Sequence, residues 1–143
     1  MIERSIILHA TTVSVQRRGA VLIGASGSGK SGLALAMMAF GAELVADDRT
    51  EIFLSGHEDT VMARAPETLP GLIEARGIGL LNAPLFGVVP VAMVVDLDQI
   101  ESQRLPDPRE TKLLDQIVPL LHRSETPYFA SSLYHYLKYG RRD

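Results

Sequence analysis

Eight consecutive residues, Gly24-Ala25-Ser26-Gly27-Ser28-Gly29-Lys30-Ser31, have the types and spacing to hold a phosphate chain. They fit G-x-x-x-x-G-K-[S/T], a pattern that average composition would place by chance in only about 0.5% of chains this long. The glycines let the backbone curl so that successive N–H groups point inward at phosphate oxygens. A helix starting near Lys30 adds its positive end. Lys30 bridges the β- and γ-phosphates in such a loop, and the Ser31 hydroxyl ligates Mg²⁺. The expected ligand is a nucleoside triphosphate, with ATP and Mg²⁺ as cofactors.

Acids and a histidine surround this loop in sequence. Val45-Ala46-Asp47-Asp48 ends an apolar run in two carboxylates, either of which is a candidate base. Side chains alternate along a strand, so a regular strand brings only one of them to the nucleotide; Asp48 is favoured, although a strand end lets both reach. Val91-Ala92-Met93-Val94-Val95-Asp96 is a second such run, and Asp96 is the rival acid, in the manner of a conventional P-loop kinase or ATPase. His9 is either a proton carrier beside phosphate or simply a hydrogen-bonded strand histidine. Arg76 precedes two glycines and is either an anion ligand or an exposed structural arginine.

These residues need elements to position them. Ser5–His9, Val13–Gln16 and Ala20–Ile23 read as strands, with a turn at Arg17–Gly19. Lys30–Phe40 reads as an Ala- and Leu-rich helix ended by Gly41. Glu43–Ala46 and Glu51–Leu54 read as strands around Asp47–Thr50, closed as a hairpin by Ser55-Gly56-His57; Val61–Arg64 is a further strand stopping at Pro66. Pro66–Arg76 reads as a turn or short helix, and Val88–Leu97 gives the strongest strand signal. Arg104–Arg109 is loop, Glu110–Gln116 a short helix and Val118–Leu121 a last strand. Tyr128–Tyr139 is an amphipathic helix whose stripe Phe129, Leu133, Tyr136 and Leu137 is core or a subunit contact. The expected fold is α/β, one domain over residues 1–143 with a mixed β-sheet and few helices.

The whole chain bounds the answer. At 143 residues it suits one domain, and 46% apolar with 22% charged residues is ordinary globular composition. Without cysteine it has no disulfide, thiolate metal site or thiol nucleophile, and the other histidines lack zinc-ligand spacing. A net charge of −3 argues against nucleic acid. The least charged stretch, Leu80–Val95, is short of the roughly 20 residues that span a bilayer and holds two prolines. The expectation is a cytoplasmic protein.

Further motifs follow in order: Ala65-Pro66-Glu67, then Leu72-Ile73-Glu74-Ala75-Arg76-Gly77-Ile78-Gly79-Leu80-Leu81-Asn82. With His9, the phosphate loop and Asp47-Asp48, they resemble the catalytic domain of HPr kinase/phosphorylase from His9 to about Arg104. The resemblance implies a P-loop kinase-like fold and ATP-dependent phosphorylation of a serine of the phosphocarrier protein HPr. It places His9 beside the substrate phosphate, Asp47 and Asp48 as the pair supplying the base, and Lys30 and Ser31 on phosphate and magnesium. Glu74 then matches a magnesium ligand, and Arg104, in Arg-Leu-Pro, an arginine near the transferring phosphate. The family's usual form carries an N-terminal domain, so the expectation is a short form opening directly into the catalytic strands. Full-length members are hexamers; self-association of this shorter chain stays open. Arg123–Tyr128 does not match the family's Pro-, Arg- and Gly-rich segment tied to dephosphorylation, which leaves kinase activity as the expectation. A nucleotide-sensing module without transfer is the remaining alternative.

Overall fold

A computed structural model describes residues 4–56, 59–66 and 70–142. The chain begins with strand β1 (Ser5–Leu8), bends at His9, and continues into β2 (Ala10–Val15), which is buried at every position. β2 turns into β3 (Arg18–Ile23) through Gln16 and Arg17, both with positive φ (50° and 63°), between the paired residues Val15 and Arg18. Two consecutive positive φ angles make this a type I′ hairpin, whose twist matches its strands. The turn therefore sits one residue earlier than the sequence predicts.

Helix α1 (Lys30–Ala39) follows the phosphate loop. It ends as expected at Gly41, where φ is 119° and the N–H groups of Gly41 and Ala42 donate to the carbonyls of Met38 and Met37. That pair of bonds is a Schellman cap. Then come β4 (Glu43–Ala46), β5 (Thr50–Leu54), β6 (Val61–Arg64), β7 (Leu72–Ala75), β8 (Gly79–Asn82), β9 (Val89–Ile100), β10 (Arg109–Leu113), β11 (Gln116–Arg123) and α2 (Phe129–Tyr139).

Among the described residues nine strands form one mixed sheet, in the order β1-β5-β6-β9-β3-β2-β4, with β11 beside β9 and β10 outside it. β3, β9 and β11 are parallel neighbours, so their carboxyl ends gather at one edge. Alternation sorts the core. Ala20, Leu22, Met93 and Val95 face the helices with Met37, Leu133 and Leu137, while Val21, Val45 and Val94 face Ile52, Val61 and Ala63. Leu133 and Leu137 are 1% exposed, so the α2 stripe is core. Each such leucine contributes about 1.5–3 kcal/mol.

Three expectations are corrected. β4 and β5 do not pair: β4 lies on β2, and β5 lies between β1 and β6, because the chain crosses between sheet positions at Asp47–Arg49. Leu72–Ala75 is a strand, not part of a turn or short helix; Gly77 (φ 86°) lets it reverse into β8. Glu110–Gln116 is not helical. Leu114 and Asp115 have φ of 50° and 65° and close another type I′ hairpin between β10 and β11. His57 and Glu67 lie outside the described residues. No described helix is long and apolar enough to cross a membrane.

Candidate functional site

The phosphate loop leaves β3 at Gly24 and enters α1 at Lys30. Ser28 N–H donates to Ala25 O over 3.0 Å, and Gly27 and Gly29 take φ of 85° and 100°, which L side chains adopt only with strain. Gly29 brings no side chain to cap α1, so the first N–H groups of the helix face the loop. Lys30 is only 7% exposed, and its Nζ curls back to donate to Gly24 O (2.8 Å) and Ala25 O (3.0 Å). A buried ammonium at the uncapped start of a helix concentrates positive charge at this loop.

The two acids part company where β4 ends. Asp47 turns inward: its Oδ1 accepts from the Ser31 hydroxyl at 2.7 Å and from Thr11 Oγ1 at 2.8 Å, and its Oδ2 from the Glu74 N–H at 3.2 Å. Asp48 has φ of 68° and is spanned by a bond from Arg49 N–H to Asp47 O of 2.7 Å. An i to i+2 bond around a positive φ is a γ-turn of the rare, strained kind. The turn throws the Asp48 carboxylate to the other side, where Oδ1 lies 3.2 Å from His9 Nδ1. The strand has ended, so both acids reach the loop.

His9 is placed for this contact by the bend between β1 and β2, held by the Ala10 N–H donating to Asp48 O at 3.0 Å. Glu74 and Arg76 sit two residues apart and share a face at the end of β7. A cavity of about 260 Å³ unites the site: His9, Lys30, Ser31, Asp48, Glu74 and Arg76 line it along with the loop backbone. The oxygens of Ser31, Asp47 and Glu74 are the hard donors that suit Mg²⁺, which keeps waters and substrate phosphates as its other ligands.

Two residues from the sequence reading stand apart. Arg104 is exposed in the loop between β9 and β10 and does not line this cavity. Asp96 ends its apolar run but spends Oδ1 on the Asp98 N–H at 2.9 Å. Three contributors went unread. Thr11 lies two residues past His9 and supports Asp47. The Asp98 carboxylate accepts from the Ala25 N–H at 2.9 and 3.1 Å, fixing the entry of the loop. Arg123 donates to the carbonyl of Ser28. Only for Asp98 was a signal present, since it stands two places beyond Asp96 at the end of a strand.

The architecture and motifs have counterparts. The family model for the HPr serine kinase C-terminal domain matches residues 2–117. The HPr kinase/phosphorylase of Lactobacillus delbrueckii subsp. bulgaricus is 39% identical over 108 residues, covering 71% of this chain and 34% of the relative. That of Geobacillus thermodenitrificans is 36% identical over 126 residues, covering 80% of this chain and 40% of the relative. The chain thus spans well under half the length of these relatives. The solved Hpr(Ser) kinase/phosphatase from Coxiella burnetii superimposes with a TM-score of 0.74 at 21% identity, over 93% of this chain and 88% of that one, so the fold is shared. A match over most of the chain, with the phosphate loop, Asp48 and the Glu74 segment assembled on one cavity, establishes that the chain belongs to the HPr serine kinase C-terminal domain family.

Proposed function

We propose that this domain transfers the γ-phosphoryl group of ATP, with Mg²⁺, to a seryl hydroxyl of an HPr-like phosphocarrier protein. One observation carries the reading: the adjacent acids are split between two tasks, Asp47 gripping the Ser31 hydroxyl and Asp48 paired with His9 across the loop. A loose phosphoryl-transfer transition state needs positioning and charge stabilisation more than covalent help. The loop N–H groups and Lys30 hold the phosphate chain. The seryl oxygen enters beside Asp48, whose carboxylate takes its proton as the oxygen bonds to the γ-phosphorus. The bond from that phosphorus to the β,γ-bridging oxygen breaks and ADP leaves. His9 fixes the Asp48 carboxylate. Ser31, with Asp47 and Glu74 nearby, would hold Mg²⁺, which when bound would supply charge neutralisation at the phosphates. The choice of an HPr-like acceptor is supported by the family and by the names of the relatives.

A single-turnover experiment with γ-labelled ATP, Mg²⁺ and purified HPr tests this. The expected result is label on an HPr serine at stoichiometric level. Label passing to a small metabolite or to water, with none on HPr, would overturn the choice of acceptor. Tight ATP binding with no transfer at all would favour a nucleotide sensor.

A further inference from the structure

The cavity that holds Asp48 and His9 flanks the phosphate loop on one side. A second, open groove of about 440 Å³ lies on the other side of Gly29, walled by Leu33 of α1, Leu97 of β9, Arg123 at the end of β11, and Thr126 and Phe129 at the start of α2. We propose that this groove receives the nucleoside of the bound triphosphate, with Leu33, Leu97 and Phe129 against the base and Arg123 beside the sugar and α-phosphate. The inference rests on the loop binding a nucleoside triphosphate, as proposed above, and deepens that reading.

Direction is the first argument. A triphosphate in the loop has two different ends, and the transferred end must face Asp48 and His9 in the 260 Å³ cavity. The α-phosphate and sugar therefore leave on the far side, across the first turn of α1. Gly29 lines both cavities, so the path from one to the other runs over a residue with no side chain.

Topology is the second. β3, β9 and β11 run parallel, and ligands of such sheets bind at the carboxyl ends of the strands. Those ends deliver the phosphate loop from β3, Leu97 from β9 and the 123–128 segment from β11 to one place.

Chemistry is the third. Small-molecule sites are mostly apolar with a few placed polar groups. Here two aliphatic side chains and a ring supply the flat apolar surface. Ser124 and Thr126 also line the groove, with their hydroxyls 3.0 Å apart. Arg123, already anchored to the Ser28 carbonyl, offers a planar cation suited to a π-face or a phosphate. Residues 123–130 fall outside the part matched by the family model, while Gly29, Leu33 and Leu97 fall inside it.

The test compares ATP with inorganic tripolyphosphate, which fills the loop but has no nucleoside, by calorimetry on the full chain with Mg²⁺. ATP should bind the unaltered protein at least ten-fold more tightly. Thr126→Trp, which fills the groove from a loop, should cut ATP affinity ten-fold or more and leave tripolyphosphate affinity unchanged; Ala130→Trp should do the same from α2. Retained tripolyphosphate binding certifies the fold of each variant. Equal affinity of the unaltered protein for the two ligands, or tryptophan variants that leave ATP binding intact, overturns the groove while sparing the loop. Loss of both ligands together in both variants also overturns it. If the unaltered protein binds neither ligand, the phosphate-loop reading fails and takes this inference with it.

Discussion

The hydroxyl of Ser31 donates to Asp47 Oδ1 over 2.7 Å, while the next residue, Asp48, points away from that bond to His9. Two neighbouring carboxylates thus have separable jobs, which mutation can tell apart. Asp48→Asn keeps the shape but cannot take up the seryl proton. It should leave ATP binding within a few-fold of normal and lower transfer by about 10²–10⁴-fold, the usual worth of a positioned base. Asp47→Asn should instead raise the Mg²⁺ requirement, and excess Mg²⁺ should partly restore its rate. Rapid-quench transfer measured across a magnesium series distinguishes the two.

Lys30→Ala removes the ammonium that also ties the Gly24 and Ala25 carbonyls together. Charge-assisted contacts to phosphate are about twice as strong as neutral ones, so ATP binding and transfer should fall together. Equilibrium binding of ATP shows the loss directly; unchanged affinity would remove Lys30 from the phosphate site.

Asp96→Asn addresses the rival acid. Its carboxylate holds the Asp98 N–H rather than Ser31, so transfer should stay within about ten-fold of normal, well short of the loss of a positioned base. Abolished transfer in this variant, with Asp48→Asn neutral, would make the protein a conventional P-loop enzyme working through Asp96.

The β5–β6 pair carries a pH signature. Hydrogen bonds from Arg64, at 2.9 and 3.3 Å, hold the Glu51 carboxyl below its ordinary 4.5. A depressed pKa stabilises the fold above the unfolded value, and that contribution is lost as pH falls through the folded value. Glu51→Gln should therefore cost about 0.5 kcal/mol at pH 7 after solvent screening, with the gap to the unaltered protein closing as pH drops below about 4.5. Urea unfolding at pH 7 and pH 3.5 measures it.

Gln16 holds a left-handed conformation (φ 50°) at the first central position of the β2–β3 turn, on the surface. Asparagine tolerates that conformation far better. Gln16→Asn should stabilise the domain by about 0.5 kcal/mol and raise Tm by about 2 °C, read by calorimetry.

The phosphate loop was legible because its signal is local: glycines, a lysine and a serine within one turn, bracketed by an apolar strand and an Ala-rich helix. The end of α1 at Gly41 was legible for the same reason. Pairing was not. Nothing in Glu43–Ala46 says that its partner is β2 rather than β5, since that choice is made by packing against Val13 and Val21 from elsewhere in the chain. The turns at Gln16–Arg17 and Leu114–Asp115 lack the Gly and Asn that announce such reversals, so one was placed a residue late and the other was read into a helix. Strand alternation favours Asp48 over Asp47, but the γ-turn that sends the two acids to different partners leaves no mark in composition. Arg104 came from resemblance alone, and its loop does not carry it to the cavity.

β9 is twelve residues long and meets β6, β3 and β11 along its length. Its parallel contact with β3 joins Ala20 to Met93, a pairing that must wait until most of the chain has been synthesised. Long-range parallel pairing is slow, because loop closure has to be completed before the contact rewards it. The entry of the loop at Ala25 is anchored from β9 through Asp98, so that anchor forms only after β9 docks. If the loop binds ATP as proposed, a chain stalled on the ribosome before β9 emerges should carry the full G-x-x-x-x-G-K-S motif and show weaker affinity for ATP than the complete domain.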